Sequence, residues 1–330
     1  MDYAQNSYQA DIKKYIIDLL LLYSSPKQLE QSGKLEQPEQ KNINLWFLLD
    51  GVMLEPGDVG VLASAARQSR AILRKTQYTI DDDDFGPWLM QAPEEETDQA
   101  QWLEKLIDTC TRRPALSIIV TEHCADEIEN TLATLITANT TDKQSFYCRF
   151  ADTRIIPELI QVLSTQQKEV VLATIKHWYF VNRAGNMERA LSKEEKQGAS
   201  VFYAPVPLLL NEQQFAYMLE ASEPDNIFSM LCELSPELVP EKKRGEFHAK
   251  LKRILAMAQT KRIFDIQDQL QFTMLALSFG EEFHQHQILQ DTWKKLNAQT
   301  DKLGNLMAGW PDDIWQALEE TQLPGGVKSA

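Results

Sequence analysis

This 330-residue chain has few glycines (13), few cysteines (4) and no apolar run long enough to cross a membrane. So few glycines leave little material for the loops that cradle phosphates. Cys110, Cys124, Cys148 and Cys232 lie far apart with no CxxC pair. That spacing argues against a disulfide framework and suits reduced thiols in a cytoplasmic protein. The longest apolar stretch, Tyr15–Tyr23, is interrupted by Asp18. Asp2, Asp11, Lys13 and Lys14 precede it, so it reads as an amphipathic helix rather than a secretory leader. Basic residues are also scarce, with 33 Lys and Arg against 48 Asp and Glu and a net charge of −15. Such a chain repels nucleic-acid phosphates and anionic membranes, so neither is expected as a partner.

What is present is enough for a globular core. Apolar residues make up 43% of the chain, and the length suits about two domains. Leu45–Leu49, Trp88–Met90, Leu116–Val120, Ser145–Ala151 and the stretch around Trp178–Phe180 read as strands. Helical patterns separate them at Val59–Lys75, Thr97–Thr111, Asp126–Ala138 and Pro157–Leu163. Beyond residue 210 the patterns are helical, at Glu212–Ala221, Asn226–Leu234, Glu241–Arg262, Asp265–Ser278, Glu281–Ala298 and from Pro311 to Glu320. Asn211 with Gln214 forms a capping-box pattern, and Gly280 marks a stop. The expected fold is an α/β N-terminal lobe, a layered sheet with helices, followed by an all-α helical C-terminal lobe. The expected divisions are an N-terminal helix and polar connector (1–44), an α/β domain (45–190), a linker (191–210), a helical lobe (211–320) and a flexible tail (321–330).

A search for catalytic chemistry finds little. The sequence holds no phosphate loop, dinucleotide fingerprint, zinc-protease histidine pair or nucleophile elbow. His284 and His286, two positions apart, point about 200° from each other on a helix and cannot share an ion. His123-Cys124 lacks an orienting third group. The acidic run Asp81–Asp84 fails as a calcium loop, because Phe85 and Ala92 occupy positions that need oxygen ligands. No enzyme activity, cofactor or metal is expected.

Two features suggest binding. The segment Glu241–Arg262 carries eight basic residues, among them Lys250 and Arg253, against two acidic ones. It is either a solvated helix balancing acidic neighbours or a docking face for an acidic partner. The second feature gathers strand ends. Asp50-Gly51 closes one strand, Gly86-Pro87-Trp88 opens another, and Arg149–Arg154 ends a third. Arg149 or Arg154 pairs with Asp50 or Asp152 in this reading, stitching strand ends together. Exposed Trp88 or Trp178 nearby would supply a binding surface.

These motifs, in this order, resemble a known family. Leu45–Gly51 is similar to the "LYALLDGA" signature of type VI secretion effector chaperones, the adaptor family built on the domain of unknown function 4123. Gly86-Pro87-Trp88-Leu89 resembles its "GPxL" element, and Cys148–Ile156 its "LRFYDPRVL" element. Lys176-His177-Trp178 matches its tryptophan strand, and the helices around Asp265–Gly280 resemble its C-terminal tail. Ala151 stands in place of the usual Tyr, Thr153 in place of the usual Pro, and Ala173-Thr174-Ile175 in place of "GPI". The resemblance implies a non-enzymatic cytoplasmic adaptor. It would bind a cognate toxin effector, often through the effector's N-terminal segment, and load it onto the VgrG spike. On that reading an effector segment lies in a groove between the lobes, with Trp88, Phe150 and Trp178 at its wall and the basic helix at its rim. An immunity protein that blocks its toxin, or an enzyme with an unrecognised site, are the alternatives.

Overall fold

The structure is a computed structural model and describes residues 2–24, 43–76, 85–192, 208–298 and 301–321. The expected connector at 25–42, the Asp81–Asp84 run, most of the 191–210 linker and the tail from 322 lie outside those residues. The chain divides into two compact units, one of residues 5–221 and one of 222–330 with the first four residues.

The first unit is built on β1 (Asn44–Asp50), β2 (Gln68–Ala71), β3 (Pro87–Gln91), β4 (Leu116–Thr121), β7 (His177–Val181) and β8 (Met187–Ser192). They form one sheet in the order β2-β3-β1-β4-β7-β8, with every neighbouring pair antiparallel. Leu45–Leu49 of β1 is an unbroken apolar run, and Leu116–Val120 of β4 is interrupted only by the buried Ser117, because both faces of the sheet are covered. Trp46, Ile119 and Trp178 pair side by side across three strands on one face. That face packs against α4 (Ala125–Ala133), α5 (Ile156–Val162) and α6 (Thr165–Thr174), through Ile128, Leu132, Ile156, Leu159 and Val171. Phe47, Ile118 and Tyr179 pair on the opposite face. There α1 (Ile12–Ser24), α2 (Asp58–Ala65) and α3 (Glu96–Cys110) supply the cover. Trp102 meets Phe47 edge-on at 5.0 Å, and its indole N–H donates to Leu62 O at 2.9 Å.

A second sheet has the order β6-β5-β9, from β5 (Thr137–Thr140), β6 (Ser145–Tyr147) and β9 (Leu208–Leu210). β5 pairs antiparallel with β6 and parallel with β9.

Several elements differ from the sequence pattern, each because a tertiary partner overrides local periodicity. The helix expected over Val59–Lys75 stops at Ala65, and Gln68–Ala71 becomes an edge strand on β3. The helix expected to Ala138 stops at Ala133 in tight turns, and Thr137–Thr140 becomes a strand. Leu135 and Ile136 stay buried in the same core, which is why they continued the helical stripe. The strand expected over Ser145–Ala151 ends at Tyr147, and Phe150-Ala151 lies in a turn. β8 and β9 fall at the two ends of the stretch expected as a linker.

The N-terminal segment is tied into the first unit. Asn6 N–H donates to Arg183 O and Gln9 N–H to Gly185 O, while the Gln5 and Gln9 side chains donate to Asn182 O and Ala184 O. These four bonds hold the chain against the turn between β7 and β8.

α7 (Glu212–Leu234) runs unbroken where two helices were expected, with Pro224 inside it. A proline here removes one backbone bond, yet Ile227, Phe228 and Leu231 stay buried in the helical register. The second unit continues with α8 (Arg244–Thr260), α9 (Ile266–Phe279), α10 (Gln290–Asn297), α11 (Leu303–Ala308) and α12 (Asp312–Thr321). Asp265 caps α9, and Gly280, at φ 92°, ends it. The helix expected over Glu281–Ala298 is instead two 3-10 turns followed by α10. Phe272, Phe283 and Trp293 form an aromatic core there, with ring separations of 4.9 to 6.2 Å.

Candidate functional site

The motif residues meet at one end of the six-stranded sheet. Asp50 ends β1 and pairs with Pro87 at the start of β3. Gly51 N–H donates to Gly86 O, Asp50 N–H to Ala115 O, and Thr153 N–H to Pro114 O, each at 3.0 Å. Gly86 is buried, and a Cβ there would stand 2.5 Å from the Leu73 side chain. Close packing thus explains the glycine, and Pro87 needs no N–H at the first position of a strand.

Side chains bind the same corner together. Arg149 Nη2 donates to Asp50 Oδ2 at 3.0 Å and stands 3.9 Å from Asp152 Oδ2. Arg154 grips Asp152 with two bonds, Nε to Oδ1 at 3.0 Å and Nη2 to Oδ2 at 2.7 Å. Such a fork is the strongest geometry open to this pair. Asp50 Oδ1 also accepts from Val52 N–H, and Asp152 Oδ1 from Arg154 N–H. Both carboxylates are buried, at 3% and 1% exposure, while the Arg149 side chain keeps 31%. Burial pushes the Asp50 carboxyl above its ordinary value, against the pull of Arg149. The corner therefore holds two buried acids, each matched by an arginine. Its chemistry is that of an ion-pair clasp, with one guanidinium reaching the surface.

Sequence reasoning overlooked Arg113. Its guanidinium donates to Met53 O at 3.1 Å and to Glu55 at 2.7 Å, tying the turn after β1 to the turn before β4. An arginine directly before Pro114 and a buried strand was the available signal.

The three aromatics expected at a groove wall do not share a surface. Phe150 and Trp178 are 1% and 0% exposed and meet edge-on at 6.2 Å inside the core. Trp88 pairs with Leu49 and lies on the opposite face of the sheet, half-buried. Strand alternation separates them, since Leu49 aligns with Leu116 while Trp178 aligns with Ile119, an odd number of residues along β4. The expected wall of Trp88, Phe150 and Trp178 is corrected accordingly.

In the second unit the basic segment begins its helix only at Arg244, after Lys242 and Lys243. Arg244 pairs with Asp2 at 2.7 Å and lies over the Phe228 ring, and Arg253 pairs with Glu281 at 3.2 Å. Part of its charge is thus balanced locally. Lys250 is half-buried and Arg253 exposed.

His123 stands 3.4 Å from Glu127, and Glu127 accepts from Cys124 N–H in a capping box at the start of α4. Among the described residues no group of three or more His, Cys, Asp or Glu is placed to hold a metal ion. No helix among them is long and apolar enough to cross a membrane.

No curated protein and no solved structure matches the chain. Residues 45–169, which supply β1 through α5 and the whole strand-end clasp, match the model of a protein family described as a domain of unknown function, DUF4123.

Proposed function

We propose that this chain is a non-enzymatic adaptor that binds a cognate type VI secretion toxin and loads it onto the VgrG spike. The observation that carries the reading is the DUF4123 match over residues 45–169. Three motifs of the resemblance, Leu45–Gly51, Gly86–Leu89 and Cys148–Ile156, fall in that span and converge on one corner, where Arg149 reaches Asp50 across 99 residues of sequence. The corner supports this reading because its two carboxylates are held by arginines and backbone N–H groups. Residues poised for proton transfer would instead be held close to a reacting atom. A protein whose task is binding needs that corner to be rigid and nothing more.

The experiment is co-expression of the tagged chain with the toxin encoded beside its gene, followed by purification and a delivery assay. A stoichiometric complex, and loss of toxin delivery when the gene is deleted, support the adaptor. Unaltered delivery after deletion defeats it.

A further inference from the structure

The first unit contains a pocket of about 610 Å³ at the meeting of α6, β9 and the start of α7. That volume lies in the range of binding cavities. Leu135, Leu163, Val171 and Leu208 line it and are also members of the buried core. Among the described residues thirteen line it and none of these is charged, in a chain where 25% of residues are. A charged side chain entering the pocket would lose water and find no counter-ion. An apolar one would lose only unfavourable hydration.

Two further observations describe the occupant. Leu209, in the middle of edge strand β9, is 54% exposed and lines the pocket, giving it an apolar lip. The polar groups of the lining are amides and hydroxyls, among them Gln166, Thr141 and Ser164. Neutral donors and acceptors of this kind suit the N–H and C=O of a peptide. The walls are also set before anything binds. Gln167 and Gln214 each cap their own helix and donate across to the other's lead-in residue, so little conformational freedom is lost on docking.

We propose that this pocket receives an uncharged segment of the carried protein, anchored by one branched aliphatic or aromatic side chain. The identity of the occupant rests on the adaptor reading above. The neutral selectivity of the pocket rests on its lining.

The test has two arms, both on the full chain. In the first, methyl-labelled protein is titrated with N-acetyl-leucinamide and N-acetyl-phenylalaninamide, and with the lysine and glutamate counterparts. Saturable shifts of the Leu135, Val171, Leu208 and Leu209 methyls are expected from the neutral probes, with the charged probes at least ~10-fold weaker. In the second, toxin affinity is measured for Leu209→Glu and Gln166→Glu, both at exposed positions that tolerate a charge, with Leu209→Met as the control. Binding at least ~10-fold weaker in the two charged variants and near normal in the control supports the proposal. Absence of saturation by the neutral probes, or full toxin affinity in both charged variants, overturns it while leaving the adaptor reading intact. Failure of the unaltered chain to bind the toxin ends the adaptor reading and this choice of occupant, and the first arm then decides the pocket's selectivity by itself.

Discussion

Gln167 and Gln214 hold each other's helices in place. Gln167 accepts from Ser164 N–H and donates its amide to Leu209 O, two residues before the cap of α7. Gln214 accepts from Asn211 N–H and donates to Val162 O, two residues before the cap of α6. Each glutamine thus completes its own capping box and reaches across to the other.

The clamp predicts coupled losses. Gln167→Ala and Gln214→Ala should each destabilise the chain by about 1 kcal/mol, the usual scale for a cap and a neutral hydrogen bond. The double variant should lose less than the sum, with a coupling of at least ~0.5 kcal/mol in a double-mutant cycle of chemical denaturation. Strict additivity would mean that the two boxes act independently. Gln167→Glu keeps the acceptor and removes the donor facing Leu209 O, so its cost should exceed that of Gln167→Ala.

Asp50 predicts a pH signature. Its carboxyl is raised above the ordinary 3.8 because burial outweighs the pull of Arg149. The folded chain therefore holds the Asp50 proton to higher pH than the unfolded chain does. The resulting stability is present below the unfolded value and is lost as pH rises through the folded one. Relative to Asp50→Asn, the native chain should gain stability as pH falls from neutral towards 3.8. Urea denaturation of both proteins at several pH values measures the difference. A gap that stays constant, or moves the other way, would contradict the assigned cause. Asp50→Ala should cost more than Asp50→Asn at every pH, because only Asn keeps an acceptor for Val52 N–H.

Trp178 and Trp88 should part company on truncation. Trp178 is fully buried against Phe150, so Trp178→Ala should cost about 3–5 kcal/mol of stability. Half-buried Trp88 should cost clearly less when truncated. Thermal and denaturant unfolding of the two variants distinguishes them. Any binding defect of Trp178→Ala should follow its loss of fold, visible as a loss of near-ultraviolet circular dichroism.

Gly185 predicts a backbone effect. It sits at φ 82°, and a Cβ there would approach Ser7 O to 2.2 Å. Gly185→Ala should cost about 1–3 kcal/mol, from strain and the displaced N-terminal arm together. Hydrogen exchange should report the loss locally, with faster exchange at the Asn6 and Gln9 amides, whose acceptors are Arg183 O and Gly185 O. Unchanged protection at those amides would show that the arm does not depend on this close approach.

Much of this protein was legible in its sequence wherever the physical cause is local. Apolar runs marked β1 and β4, the second interrupted only by Ser117, because a strand covered on both faces has no polar side. Asn211 with Gln214 announced a helix start through side chains that bind nearby backbone N–H groups. The strand-end clasp was legible as a set of candidate partners, since unlike charges beside strand ends seek one another.

Only the tertiary structure decided what depends on distant chain. Which arginine takes which aspartate, the face on which Trp88 lies, and the conversion of Thr137-Ala138 from helix to strand all follow from strand order and register. Local periodicity holds no record of these, because pairing energy comes from residues far away in sequence. The scarcities also changed meaning. A shortage of basic residues spoke only of net repulsion, whereas the fold gathers thirteen of the described residues, all uncharged, into one pocket, from segments 134–141, 163–171 and 208–214. Sequence composition set how much charge there was, and packing decided where none would be.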